Sequence, residues 1–272
     1  MRLAWAYPFL LLLGCGQRLH PLAATGHPTP EAAQKAERDL AAATPALPVA
    51  LPSIAPELVS HGRRDRKSVA LTFDACSTRD VSKYDARVTE TLLATGTPAT
   101  IFLGGSWAKE EQSQVHELAR HVQFELANHT YTHPHLSALK DERRIREELV
   151  KTQAEIERLT GQVPRYFRPP YGEYDQRVIR IAGDLGLTTV EYDLPSGDPD
   201  VHATKERLVA WVLEKVQPGS IVVMHINHTH FHTAEALPGI ISGLRQRGYT
   251  LVTVGQLIRE MHPEAGAPGA SK

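Results

Sequence analysis

Between Ser68 and Glu260 the chain repeats one pattern: a short apolar run that suits a β-strand, then a stretch with helical periodicity. The runs are Val69–Phe73, Ala99–Leu103, Gln123–Leu126, Arg165–Arg168, Thr188–Tyr192, Ile221–Met224 and Tyr249–Val252. Helical stretches follow them at Asp85–Ala94, Lys109–His121, Ala138–Thr160, Asp175–Leu185, Lys205–Val216 and Thr233–Gln246, with a last short one from Gly255. Ile145, Leu149, Ile156 and Leu159 share one face of the longest helix, and Gly161 supplies its left-handed cap. Strict strand–helix alternation predicts an α/β domain built on a parallel sheet or barrel.

The residues before this domain read as an export address and a tether. Arg2 precedes the apolar stretch Leu3–Leu13, which is too short for a membrane span of about 20 residues and suits a secretory signal. Leu12-Leu13-Gly14-Cys15 resembles a bacterial lipobox, with Cys15 as the lipid-bearing first residue of the mature protein; a plain signal peptide is the alternative. Residues 16–60 are rich in proline and alanine, a composition that favours extended chain, with room for a short helix over Glu31–Ala43. The domain is expected over residues 61–262 and a flexible tail over 263–272. Arg63, Arg64, Arg66 and Lys67 read as a solvated entrance to the first strand. Lys+Arg and Asp+Glu number 30 and 31, so the charge is balanced and gives no support for a phosphate-neutralising nucleic-acid binder. Two cysteines cannot build a disulfide framework.

In parallel α/β folds, chemistry gathers at the carboxyl ends of the strands. Polar residues stand at those ends here: Asp74, then Asn128-His129-Thr130-Tyr131-Thr132-His133-Pro134, then Arg168-Pro169-Pro170-Tyr171-Gly172, then Asp193–Asp200, then His225. His129 and His133 are four apart, which on one helical turn places both rings together and suits a borderline metal such as zinc. Taken singly, each residue has an ordinary alternative: a surface pair for the histidines, a helix cap for Asp74, an ion pair for Arg168, a core histidine for His225. Their joint occurrence at strand ends of one domain points to a catalytic site. The run His225-Ile226-Asn227-His228-Thr229-His230-Phe231-His232 reads as a polar loop, with added metal contacts or a sugar-binding rim as the sharper option. Trp107 and Tyr131 are candidates to stack on sugars or to fill core and helix-start positions. No Gly-x-Ser-x-Gly elbow and no phosphate-cradling glycine–lysine loop is present.

Five segments in order resemble the polysaccharide deacetylases, the NodB-type carbohydrate esterases. They are Leu71-Thr72-Phe73-Asp74, His129 to Pro134, Arg168 to Gly172, Tyr192 to Asp198, and Val223-Met224-His225. The resemblance implies a distorted parallel (β/α)7-type barrel. It also implies a hydrolase that removes acetyl groups from N-acetylated polysaccharide, peptidoglycan first and chitin-like sugars second. On this resemblance Asp74 is the general base, Arg168 holds it, His225 is the general acid and Asp198 orients His225. A divalent metal, zinc first and cobalt or nickel next, is held by His129 and His133, with Asp74 as the expected third ligand. Tyr171 and Val223 contact substrate. The expected setting is the bacterial envelope: an exported lipoprotein anchored by its lipid and facing the periplasm or cell surface, or else a secreted protein. The chain departs from the pattern twice. Ala75, followed by Cys76, stands where the family has a second, metal-binding aspartate, and Pro199 stands where it has a tryptophan. Cys76 and Asp80 are further ligand candidates, with a buried inert thiol as the alternative for Cys76. A non-catalytic carbohydrate-binding relative and an O-acetyl esterase are the competing functions.

Overall fold

The computed structural model describes residues 50–78 and 83–262. The signal segment with Cys15, the tether up to residue 49, the helix expected over Glu31–Ala43, Asp80 and the tail from Pro263 lie outside the described residues. Among the described residues no helix is long and apolar enough to cross a membrane.

The strands are β1 (Leu58–Val59), β2 (Ser68–Ala75), β3 (Ala99–Leu103), β4 (Phe124–Asn128), β5 (Tyr166–Phe167), β6 (Thr188–Val190), β7 (Leu194–Pro195), β8 (Ile221–His225) and β9 (Thr250–Val252). The helices are α1 (Ala86–Ala94), α2 (Gly105–Glu110), α3 (Gln112–Ala119), α4 (Glu142–Thr160), α5 (Gln176–Asp184), α6 (Lys205–Lys215), α7 (Thr233–Gln246) and α8 (Val254–Met261). Strand order is β1-β6-β5-β4-β3-β2-β8-β7, with β9 on β2, and every strand pair is parallel. This is the distorted (β/α) barrel that the alternation and the resemblance predict.

The period of two along β2 sorts its side chains into two environments. Val69, Leu71, Phe73 and Ala75 join the hydrophobic layer shared with Val88 and Leu92 of α1 and Leu237, Ile240 and Ile241 of α7. Ala70 belongs instead to a second cluster with Phe102, Ala127, Val190 and Ile221, where Val254 and Leu257 of α8 also pack. Thr72 and Asp74 follow Ala70 on that inner side, so polarity rises towards the carboxyl end of the strand.

Element ends follow ordinary chemistry. Asp85, Asp141 and Asp175 each accept a bond from the first turn of the helix they precede. Gly161 closes α4 at φ 68°. The stretch expected as one helix over Lys109–His121 is two, α2 and α3, which break at Glu111 (φ −103°, ψ 42°). Residues read as the end of the tether lie against the barrel: β1 pairs with β6, and the Ile54 amide donates to the Gly183 carbonyl at 2.8 Å. The basic entrance is tied down by local partners, Arg63 to Asp65 and Arg64 to Asp193 and the Pro218 carbonyl.

Gly104 shows how tightly the top of β2 is packed. Its amide donates to the Ala75 carbonyl at 2.9 Å, and a Cβ there would sit 2.8 Å from the Ser77 nitrogen and 2.9 Å from the Ala75 oxygen. Gly104→Ala is expected to destabilise the fold by about 1–3 kcal/mol, the usual range for overpacking, read as a lower denaturant midpoint at unchanged slope. A wild-type midpoint would show that the strand end yields freely.

Candidate active site

Register brings the strand-end residues together. Asp74 on β2 lies directly beside Phe102 on β3 and beside His225 on β8. Arg168 follows β5, and His129 follows β4. Asp74, Cys76, His129, His133, Tyr171, Asp198, Pro199, Val223 and His225 all line one cavity of about 370 Å³, within the range of small-molecule sites.

Arg168 is fully buried, and its Nη1 donates to Asp74 Oδ1 and to Thr72 Oγ1, both at 2.8 Å. Its guanidinium lies 4.0 Å from the centre of the Phe102 ring. Burial pushes the Asp74 carboxyl up, but Arg168 and the neighbouring histidines outweigh it, so Asp74 stays below its ordinary range. His225 forms the second pair. Its Nδ1 faces Asp198 Oδ1 at 3.0 Å, while Asp198 Oδ2 accepts from the His225 amide at 2.7 Å and from Thr233 at 2.7 Å. Burial disfavours the imidazolium, yet the Asp198 carboxylate prevails and holds His225 well above the usual histidine range.

The two metal-type histidines meet through a loop and not through a helical turn. Thr130 (φ 62°) and His133 (φ 58°) both adopt left-handed backbone, and the His129 and His133 ring centres lie 4.9 Å apart. Asn128 Oδ1 accepts from the Thr130 amide, and Glu148 of α4 accepts from the amides of Tyr131 and Thr132. His129 Nδ1 donates to the Arg168 carbonyl at 2.8 Å, which fixes the tautomer and turns Nε2 towards the cavity. That Nε2 has two neighbours, Asp74 Oδ2 of β2 at 3.8 Å and Sγ of Cys76, just past that strand, at 3.7 Å. Cys76, His129 and His133 each offer a donor atom, and these atoms lie within 4.8 Å of one another. His133 Nδ1 is buried without a hydrogen-bond partner. One thiol and two imidazoles, one of them with an unsatisfied ring nitrogen, are a donor set that fits a divalent metal. Burial raises the Cys76 thiol, while hydrogen bonding with His129, His133 and His225 brings it far below its ordinary value.

The other sequence candidates divide. Tyr171 is exposed, has φ 61°, and stacks on His135 at 4.0 Å. Val223 is buried at the cavity wall. Trp107 is only 2 % exposed and packs in the core, so it offers no face to a sugar. Of the histidine-rich loop, His228 and Phe231 line the cavity, and Phe231 meets His225 edge-on at 5.7 Å. Glu191 had no sequence signal beyond its place after β6. It is buried beside Arg168, and burial pushes it up to about 7 against the opposing pull of that guanidinium.

A family model described as polysaccharide deacetylase matches residues 61–190. The chain is 31% identical to the uncharacterised protein YlxY of Bacillus subtilis over 82% of this chain and 67% of that one. The chain belongs to the polysaccharide deacetylase family. That family includes hydrolases, among them the peptidoglycan-N-acetylglucosamine deacetylase of Bacillus cereus, 28% identical over 73% of this chain and 70% of that one. Among solved structures, a carbohydrate esterase family 4 pseudoenzyme from Bacillus anthracis superposes with a TM-score of 0.69 at 31% identity, covering 76% of this chain and 70% of that one. A mutant of that pseudoenzyme with restored enzymatic activity matches with a TM-score of 0.68 at 32% identity, over 76% of this chain and 73% of that one.

In this member of the deacetylase family the Asp74–Arg168 pair is buried, so removing one partner strands a charge. Arg168→Met is expected to cost about 3–5 kcal/mol in unfolding free energy, and adding Asp74→Asn to it should recover part of the loss. Because the folded Asp74 value is depressed, its contribution is full above about pH 4, the unfolded aspartate value. It fades as pH falls through the lower folded value. Urea unfolding of wild type, both single variants and the double variant across acidic pH checks both statements; equal stability of wild type and Arg168→Met overturns them.

Proposed function

We propose that the protein hydrolyses acetyl groups from N-acetylated polysaccharide of the bacterial envelope, with peptidoglycan as the first substrate and chitin-like sugars as the second. One observation carries this reading. Two oppositely tuned acid–base pairs, Asp74–Arg168 and His225–Asp198, open into the same cavity as the His129–His133 cluster. Divergent tuning of neighbouring titratable groups is how acid and base roles are assigned at one pH.

A divalent metal, zinc first, held by His129, His133 and a ligand from the end of β2, would supply Lewis acidity and lower the pKa of a water to about 7. The chain's own groups do the rest. Asp74, kept ionised by Arg168, takes the proton of the attacking water. The amide N–H of Tyr171 donates to the oxyanion that forms at the acetyl carbonyl. His225, kept protonated by Asp198, gives its proton to the sugar nitrogen as the carbon–nitrogen bond breaks, so acetate and a free amine leave. Val223 and Phe231 wall the space for the acetyl methyl, in the cavity that Pro199, standing where the family has a tryptophan, also lines. The same machinery also hydrolyses an O-acetyl ester, and the pseudoenzyme among the similar structures supports a binding-only alternative. Retention of both charged pairs favours catalysis, because a binding surface needs neither base nor acid. The lipobox-like Leu12–Cys15 supports an outward-facing, lipid-anchored protein.

Asp74→Asn and His225→Ala are each expected to lower acetate release from acetylated glycan roughly 10²–10⁴-fold; near-normal turnover refutes the role concerned. Asp198→Asn removes the group that holds His225 protonated. The acid is active only with its proton, so the alkaline limb of the kcat/KM profile should move to lower pH, towards the ordinary histidine value of about 6.5. An unmoved limb assigns the acid elsewhere. Cys15→Ala should transfer the protein from the membrane to the soluble exported fraction, since acyl chains contribute about 0.8 kcal/mol per buried CH₂. A wild-type protein already soluble removes the anchor.

A further inference from the structure

We infer that Cys76 is the third protein ligand of the metal, completing a Cys76–His129–His133 site in which Asp74 stays free to act as base. The inference rests on the proposed hydrolase only in taking a divalent metal to belong in this cavity. The first observation is the β2 side-chain pattern. Thr72 and Asp74 bond Arg168 on the inner side, whereas Ala75 packs in the outer hydrophobic cluster. Cys76, two residues past Asp74, is returned to the inner side and lines the cavity.

The second observation is spacing. Zinc bonds of about 2.3 Å to sulfur and about 2.0–2.1 Å to nitrogen at a tetrahedral angle separate the two donors by roughly 3.6 Å. Cys76 Sγ and His129 Nε2 are 3.7 Å apart, and His133 completes the group within 4.8 Å. Asp74 is differently committed. Its Oδ1 is held by Arg168 at 2.8 Å, and only Oδ2 approaches His129. A thiolate with two neutral imidazoles also keeps one negative charge in the ligand set, the charge an aspartate with two histidines would supply. The substitution at position 75 therefore does not leave the cation without an anionic ligand. Replacing oxygen by sulfur shifts preference towards zinc and cobalt and away from magnesium, calcium and manganese.

The test uses the full chain stripped of metal and titrated with Co²⁺, for wild type, Cys76→Ser, Cys76→Asp and Asp74→Asn. A thiolate-to-cobalt charge-transfer band in the near ultraviolet is expected for wild type and Asp74→Asn, and its loss in Cys76→Ser and Cys76→Asp. Zinc affinity, measured by competition with a chromophoric chelator, should fall more than about 100-fold in Cys76→Ser, beyond the range of outer-shell changes. It should recover in part in Cys76→Asp and change less than about 10-fold in Asp74→Asn. Circular dichroism reports folding; were Cys76→Ser unfolded, the wild-type band and the Cys76→Asp affinity decide. A wild-type cobalt complex without the band, failure to bind metal, unchanged affinity in folded Cys76→Ser, or an equal loss in Asp74→Asn overturns the inference. Acetate release from the same samples tests the hydrolase separately: the band without acetate keeps the ligand and rejects the activity, and acetate without the band does the reverse.

Discussion

A single buried guanidinium organises the top of this barrel. Arg168 is sealed from water, so its charge must be met inside the protein, and the partners that meet it come from several strands. Asp74 and Thr72 of β2 accept its hydrogen bonds, Phe102 of β3 lies against its plane, and the Glu191 carbonyl beyond β6 approaches Nη2 at 3.4 Å. The Arg168 backbone carbonyl then takes the proton of His129 Nδ1 after β4. The orientation of the base candidate and of one metal-type histidine thus descends from the same residue. Glu191, pushed up to about 7 by burial, competes little for the guanidinium below that pH, which leaves the ionic partnership chiefly to Asp74.

Much of this arrangement was legible in the sequence because it follows from periodicity. The seven expected strands and the strand-end residues Asp74, Arg168, His225 and Asp198 are found in the barrel and its cavity. The misses have local causes. β1 and β7 are two residues each, shorter than any alternation can reveal, and β7 contains Pro195. His129 and His133 meet because two left-handed residues fold the loop back, a conformation that residue spacing does not encode. Trp107, an amphipathic type that serves equally in cores and on surfaces, is in the core. The place of Cys76 was available in principle: counting by two from Thr72 carries it to the inner side. Its partners, set by the loop after β4, were not.

The family pattern and this chain differ where the second aspartate would stand, and the difference need not mean lost chemistry. An anionic donor one residue later reaches the same two histidines. Both charged pairs flanking the cavity are intact, Asp74 with Arg168 and Asp198 with His225.

Thr130, His133 and Tyr171 are the non-glycine residues with positive φ among the described residues, and all three sit in the loops around the cavity. Each such conformation costs on the order of 1–3 kcal/mol, and for the β-branched Thr130 it is a genuine outlier. The packing and hydrogen bonds of the surrounding barrel therefore have to hold these torsions in place. Glycine at these positions would relax the backbone, and at His133 and Tyr171 it would remove the ring that the torsion aims. A lineage adapting to heat would be expected to stiffen the helices and leave these three torsions alone.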